Sequence, residues 1–258
     1  SHPAYQLRRY AWSAKLPLSI VTDFEEFAVY DCRVRPAQRD KASKSRPLYL
    51  TYKEYAANWD KIAEIFSKDA VLKGSFDKYA EALGSKQGSD TVDSAFLKEI
   101  ENWRKLLAQD IAKHNRRITR RELNFAVQRT IDRIIFLRIC EDRRIEPPER
   151  LQATAKGKGV YSRLLTVFRD ADDRYNSGLF HFQQEKDRQE TPDEITPNLR
   201  IEDATLRTII AKLYYPESPY EFSVLPADIL GQVRLPPGLS LHFLQSWKEL
   251  TTPRIRSS

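Results

Sequence analysis

Residues 119–143, TRRELNFAVQRTIDRIIFLRICEDR, constrain the fold more than any other stretch of the chain. Leu123, Ala126, Val127, Thr130, Ile131, Ile134 and Ile135 recur at three- and four-residue spacing, which marks one face of an α-helix. Thr119 with Glu122 three positions on is a capping box, so the helix start is written locally. Arg120, Arg121, Arg129, Arg133 and Arg138 are set among Asp132, Glu141 and Asp142. Arg129 with Asp132 and Arg138 with Asp142 fall at spacings that pair along a helix. From Ile134 to Cys140 apolar residues run nearly all the way round, and such a helix must be buried by others. The expected role is a central scaffold helix with structural ion pairs among Arg129, Asp132, Arg133, Arg138, Glu141 and Asp142; direct contact of its basic face with DNA phosphates is the alternative.

The flanking sequence predicts more helices. Apolar periodicity marks segments beginning at Ala4, Tyr52, Phe76, Asp93, Tyr161, Ile201 and Val224. The segment from Tyr52 is expected to place Tyr52, Tyr55, Ala56, Trp59, Ile62, Ala63 and Phe66 on one inward face. Leu18–Thr22 and Phe27–Tyr30, separated by a polar turn, read as a hairpin. Residues 36–47, PAQRDKASKSRP, read as a polar linker, residues 84–91 as a flexible loop, and 183–198 as polar and mobile. The fold class is therefore mainly α, a helical bundle preceded by a small α/β piece.

A net charge of +7 makes an anionic partner plausible, although 36 acidic residues are interspersed with 43 basic ones. Two cysteines 108 positions apart, Cys32 and Cys140, form no disulfide framework and fit a reducing, cytoplasmic setting. No apolar run reaches the length of a membrane span, so no membrane association is expected. His2, His114, His181 and His242 lack metal-ligand spacing, and the paired carboxylates of Asp172-Asp173 and Glu141-Asp142 are accompanied by arginines, so no metal site is expected. No phosphate-binding glycine loop or nucleophile elbow occurs.

Gln6 and Tyr10 form a QxxxY pair one helical turn apart, followed by Trp12-Ser13-Ala14, Leu16-Pro17-Leu18 and a strand ending in Thr22-Asp23. This resembles the end of a PD-(D/E)XK nuclease domain of type I and type IIG restriction enzymes. Downstream, RELNFAVQRTIDRIIFLRICEDR, DDRYNSGLFHF and LYYPESPYEFSVLPADILGQV resemble the connector between nuclease and adenine-specific DNA methyltransferase in single-chain type IIG restriction–modification enzymes. The pattern covers residues 4–233.

The resemblance implies a division into a nuclease-domain remnant (1–35), a linker (36–50), a helical connector (51–233) and an atypical tail (234–258). It makes Gln6 and Tyr10 auxiliary nuclease residues, and Arg8, Arg9, Arg120, Arg121 and Arg129 candidates for DNA contact. The metal-binding nuclease strands would lie before Ser1, and no Asn-Pro-Pro-Tyr motif of the methyltransferase occurs. With no methionine and an opening of Ser1-His2-Pro3, the sequence reads as a fragment that is catalytically inactive alone. Magnesium and S-adenosylmethionine belong to the full-length family, and no cofactor is expected in this chain. Expected partners are DNA, the nuclease and methyltransferase modules, and a second copy through exposed strand edges. The rival reading is a non-enzymatic helical DNA-binding or protein-assembly module.

Overall fold

A computed structural model describes residues 3–84, 91–175, 177–184 and 191–225. The chain divides into two compact units, Ser1–Ala95 with Pro219–Leu225, and Phe96–Ser218. The mainly helical class with a small sheet is borne out.

The first unit opens with helix α1 (Pro3–Ser13), which packs on a three-stranded antiparallel sheet of β1 (Leu18–Thr22), β2 (Glu26–Asp31) and β3 (Leu48–Thr51), in that order. The hairpin register sets Leu18 opposite Asp31 and Thr22 opposite Phe27. Alternation along β2 divides the core: Ala28 and Tyr30 join Ala4, Ala11 and Cys32, while Val29 joins Leu18, Leu48 and Leu50. The third strand, invisible to the periodicity argument, is only four residues long and runs directly into helix α2 (Tyr52–Tyr55).

The stretch expected as a free linker folds back on the unit. Asp40 meets the Arg8 guanidinium at 3.0 Å, the Tyr30 hydroxyl donates to the Ala42 carbonyl at 3.0 Å, and Asp31 N–H donates to the Ser45 carbonyl at 2.7 Å. These bonds satisfy a loop that has almost no apolar surface of its own.

Helices α3 (Trp59–Phe66), α4 (Lys68–Leu72) and α5 (Ser75–Ala82) complete this unit against the second face of the sheet. Tyr55, Ile62 and Phe66 pack inward as expected. Tyr52 and Trp59 do not: they are 58% and 63% exposed. A short 3-10 turn over Ala56–Asn58 interrupts the α-helical period between them. Residues 219–225 return to α1, where the Trp12 and Tyr220 rings lie 5.7 Å apart and Glu221 N–H donates to Ser13 Oγ at 2.9 Å.

The second unit is organised by helices α6 (Val92–His114, from Phe96 onward), α7 (Arg120–Asp142), α8 (Arg150–Thr154), α9 (Val160–Tyr175) and α10 (Asp203–Ala211). Every residue of α7 from Thr130 to Glu141 is buried. Phe96, Ile100, Trp103, Leu107 and Ile111 of α6 are buried, as are Leu164 and Phe168 of α9 and Leu206, Ile209 and Ile210 of α10. Asp203 accepts from the N–H groups of Gly159 and Val160 at 2.8 Å each, fastening the start of α9 to the start of α10. Most of the 84–91 loop, the helix expected from Val224, and the 234–258 tail lie outside the described residues.

Candidate nucleic-acid interface

Helix α7 starts as its sequence predicts. Thr119 Oγ1 accepts from Glu122 N–H at 3.3 Å while the Glu122 carboxylate accepts from Thr119 N–H at 2.8 Å. These bonds hold the Glu122 carboxyl below the usual range, the backbone donor contributing most.

Beyond the cap, the arginines of α7 separate into two populations. Arg133 is buried: Nε donates to the Leu179 carbonyl at 2.8 Å, Nη1 to Thr196 Oγ1 at 2.8 Å, and Nη2 faces Asp193 at 2.8 Å. Its guanidinium lies 4.4 Å from the Phe182 ring centroid. Arg138 pairs with Asp142, lies 3.7 Å from Glu141, donates to the Leu213 carbonyl at 2.9 Å and covers the Tyr214 ring at 4.3 Å. Glu141 also accepts from Leu151 N–H at 2.7 Å and the Tyr214 hydroxyl at 2.5 Å. Burial pushes the Glu141 carboxyl up against these donors. Arg129 stacks on Phe125 at 5.2 Å and donates to the Gly178 carbonyl at 2.8 Å. Asp132 accepts both amide hydrogens' worth of contact from Gln128, at 2.7 and 2.8 Å, rather than resting on its arginine neighbours alone.

The segment expected as mobile supplies part of this network. Asp193 and Thr196 are buried, and Asp193 accepts from Thr196 N–H at 2.9 Å and Thr196 Oγ1 at 2.5 Å. Composition hides this order because the residues are polar and their partner, Arg133, lies about 60 positions away.

Arg120 and Arg121 belong to the second population. They are exposed, as are Arg116 and Arg117 in the turn between α6 and α7. None of the four has an ion pair among the described residues. The turn beneath them is pinned: Asn115 Nδ2 donates to the carbonyls of Ile111 at 2.8 Å and Arg200 at 2.9 Å, and Arg200 N–H returns a bond to Asn115 Oδ1 at 2.9 Å. Below Arg121 a cleft of 1110 Å³ is lined by Phe125, Arg129, Arg133, His181 and Asp193 among others.

The remaining sequence candidates lie in the first unit. Gln6 is exposed and Tyr10 is 50% exposed, on one face of α1. Arg8 and Arg9 are 1% and 7% exposed, so their guanidinium groups face protein rather than solvent. Arg8 is held by Asp40, and Arg9 by Glu221 at 2.8 Å and the Tyr220 carbonyl. A basic pair in a helical motif resembles a DNA-facing edge, but α1 turns it onto the 36–47 and 219–225 segments.

One constellation escaped sequence spacing. Asp110, His114 and Glu202 bring ligand-type atoms within 4.8 Å of one another. Both imidazole nitrogens lie 3.0 Å from a carboxylate oxygen, one from each acid, and Glu202 also meets Lys113 at 3.5 Å. Asp110 and His114 share a helix face, but Glu202 comes from 88 residues further on, and the group ties the end of α6 to the start of α10.

No family model and no solved structure matches the chain. The chain is 36% identical over 231 residues to a "Type II restriction enzyme and methyltransferase RM.Eco57I" of Escherichia coli, which is 90% of this chain and 22% of that relative. The chain thus spans about a fifth of the length of the protein it matches. No helix among the described residues is long and apolar enough to cross a membrane.

Proposed function

We propose, from the premise that this chain is a homologue of one stretch of a restriction enzyme and methyltransferase, that it serves as the helical spacer between the cutting and methylating modules of such an enzyme, with auxiliary contact to the DNA backbone. The observation that carries this reading is α7 itself. Its buried arginines, Arg133 and Arg138, are spent internally, on Asp193, Glu141, Asp142 and backbone carbonyls, an arrangement that stiffens a bundle rather than presenting charged groups for chemistry among the described residues. Rigid spacing is what such a network supplies.

The described residues of the first unit carry the QxxxY face, Gln6 and Tyr10, outward on α1, where further nuclease structure would cover it. Magnesium and S-adenosylmethionine act in the full-length enzymes of this kind, and the chain by itself neither cuts nor methylates. The rival reading, a non-enzymatic DNA-binding or assembly module, differs in having no catalytic modules to space.

The test uses the purified chain with plasmid DNA, magnesium and S-adenosylmethionine. The expected result is no cutting, no methyl transfer, and weak, sequence-tolerant duplex binding at low salt. Magnesium-dependent cutting overturns the inactive-spacer reading, and absence of duplex binding at low salt overturns the DNA contact.

A further inference from the structure

Arginines in the second unit are mostly committed. Arg104 donates to Gln128, Arg150 and Arg174 pair with Glu146, Arg163 donates to three backbone carbonyls, and Arg207 pairs with Asp203. Against that pattern stand seven exposed arginines without an ion pair among the described residues; two, Arg144 and Arg169, lie elsewhere in the chain, and five belong to one region: Arg116, Arg117, Arg120, Arg121 and Arg200. The first four lie within six consecutive residues. The fifth arrives from a distant segment, because the Asn115 side chain makes paired bonds to the Arg200 backbone at 2.9 Å each.

The base of this patch is rigid while its tips are free. Ile118 N–H donates to the Asn115 carbonyl at 3.0 Å, the Thr119–Glu122 box closes the turn, and His114 is held between Asp110 and Glu202. The acids nearest along the chain are occupied, Glu122 by the Thr119 cap and Glu202 by His114 and Lys113. Five guanidinium groups on a preorganised support would repel one another unless an anion shares them, and each fits a phosphate through two parallel N–H donors.

We infer that Arg116, Arg117, Arg120, Arg121 and Arg200 form one phosphate-backbone anchor for duplex DNA, binding three to five phosphates (about one per guanidinium) without reading sequence. This rests on the DNA contact proposed above and assigns it to one surface. Single-stranded nucleic acid is disfavoured because stacking platforms need exposed aromatic rings. The exposed large hydrophobic residues among those described, Phe24, Tyr52 and Trp59 foremost, lie elsewhere in the chain. The buried Arg133 and the carbonyl-bound Arg129 then support the anchor rather than touch the phosphates.

The experiment measures binding of the whole chain to two unrelated duplexes, to one of their single strands and to polyglutamate, across 50–200 mM salt. Four phosphate contacts predict a log–log salt slope near −3.6 for both duplexes, which is a loss of affinity of about 150-fold over that range. Arg116→Ala, Arg117→Ala, Arg120→Ala and Arg121→Ala combined are expected to flatten the slope by about 3, and Arg200→Ala alone by about 1. A charge-matched variant (Arg144→Ala, Lys156→Ala, Lys158→Ala, Arg169→Ala), exposed residues of the same unit, is expected to leave both slope and affinity near those of the unaltered chain. Equal loss in the two four-residue variants, equal binding of polyglutamate or single strand, or duplex binding that survives loss of the patch overturns the assignment. No binding by the unaltered chain instead overturns the DNA contact on which it rests.

Discussion

Arg133 and Asp193 face each other at 2.8 Å with side-chain exposures of 1% and 4%. The pair joins the middle of α7 to a polar segment whose described residues, 191–198, have no regular structure apart from a 3-10 turn over Thr196–Asn198. Removing one member leaves the other buried without its countercharge. Arg133→Met is expected to destabilise the chain by about 3–5 kcal/mol in urea denaturation, and adding Asp193→Asn is expected to recover part of that loss. A single-substitution cost below about 1 kcal/mol would mean the pair is not what fastens the segment.

Asp132 gives a pH signature. Burial raises its carboxyl from 3.8 to about 6, against the opposing hydrogen bonds from Gln128 and the fields of Arg104, Arg129 and Arg133. A folded pKa above the unfolded one means that protonation favours the fold. Its stabilising contribution is therefore complete below about pH 4 and is lost as pH rises through 6. Asp132→Asn is thus expected to gain on the unaltered chain by about 2–3 kcal/mol between pH 4 and pH 8. Denaturation midpoints of both proteins at several pH values check this, and a pH-independent difference would contradict it.

Tyr214 and Glu141 supply a neutral test of the same core. The Tyr214 hydroxyl donates to Glu141 at 2.5 Å and accepts from Gln152 N–H at 3.2 Å. Tyr214→Phe keeps the ring over Arg138 but leaves two polar groups short of a partner. The expected cost is about 1–3 kcal/mol in thermal or urea unfolding, with the helical circular dichroism of the folded state unchanged.

Both cysteines are buried, and burial pushes each thiol up to about 12. The thiolate is the reactive form, so neither is expected to react with a disulfide reagent at pH 8 in the native chain. Both are expected to react at once in denaturant. Rapid native labelling of Cys140 would contradict the tight packing of α7.

Local signals explain which elements could be read in advance. The Thr119–Glu122 box, the β1–β2 hairpin, and the long helices around Trp103 and Phe168 are specified by residues within one or two turns of each other. β3 is illegible because four residues show no period, and Tyr52 and Trp59 turn outward because a 3-10 turn breaks the spacing that an uninterrupted helix would keep. The 36–47 and 191–198 segments read as loose because polar composition says nothing about distant partners such as Arg8 and Arg133.

By itself, then, the order of residues determined that 119–143 is a buried capped helix, that the class is mainly α, and that the chain resembles part of a restriction–modification enzyme. Apart from the Arg138–Asp142 pair, which its four-residue spacing already wrote, only the tertiary structure decided what each arginine does. Arg8, Arg9, Arg133 and Arg138 carry the same charge as Arg116, Arg117, Arg120 and Arg121, and composition does not separate them. The first four found carboxylates and carbonyls brought from up to 212 positions away, and the last four found none among the described residues. Burial of a guanidinium is stabilised only by partners in place, and those partners are set by how the chain folds back, which no local pattern contains.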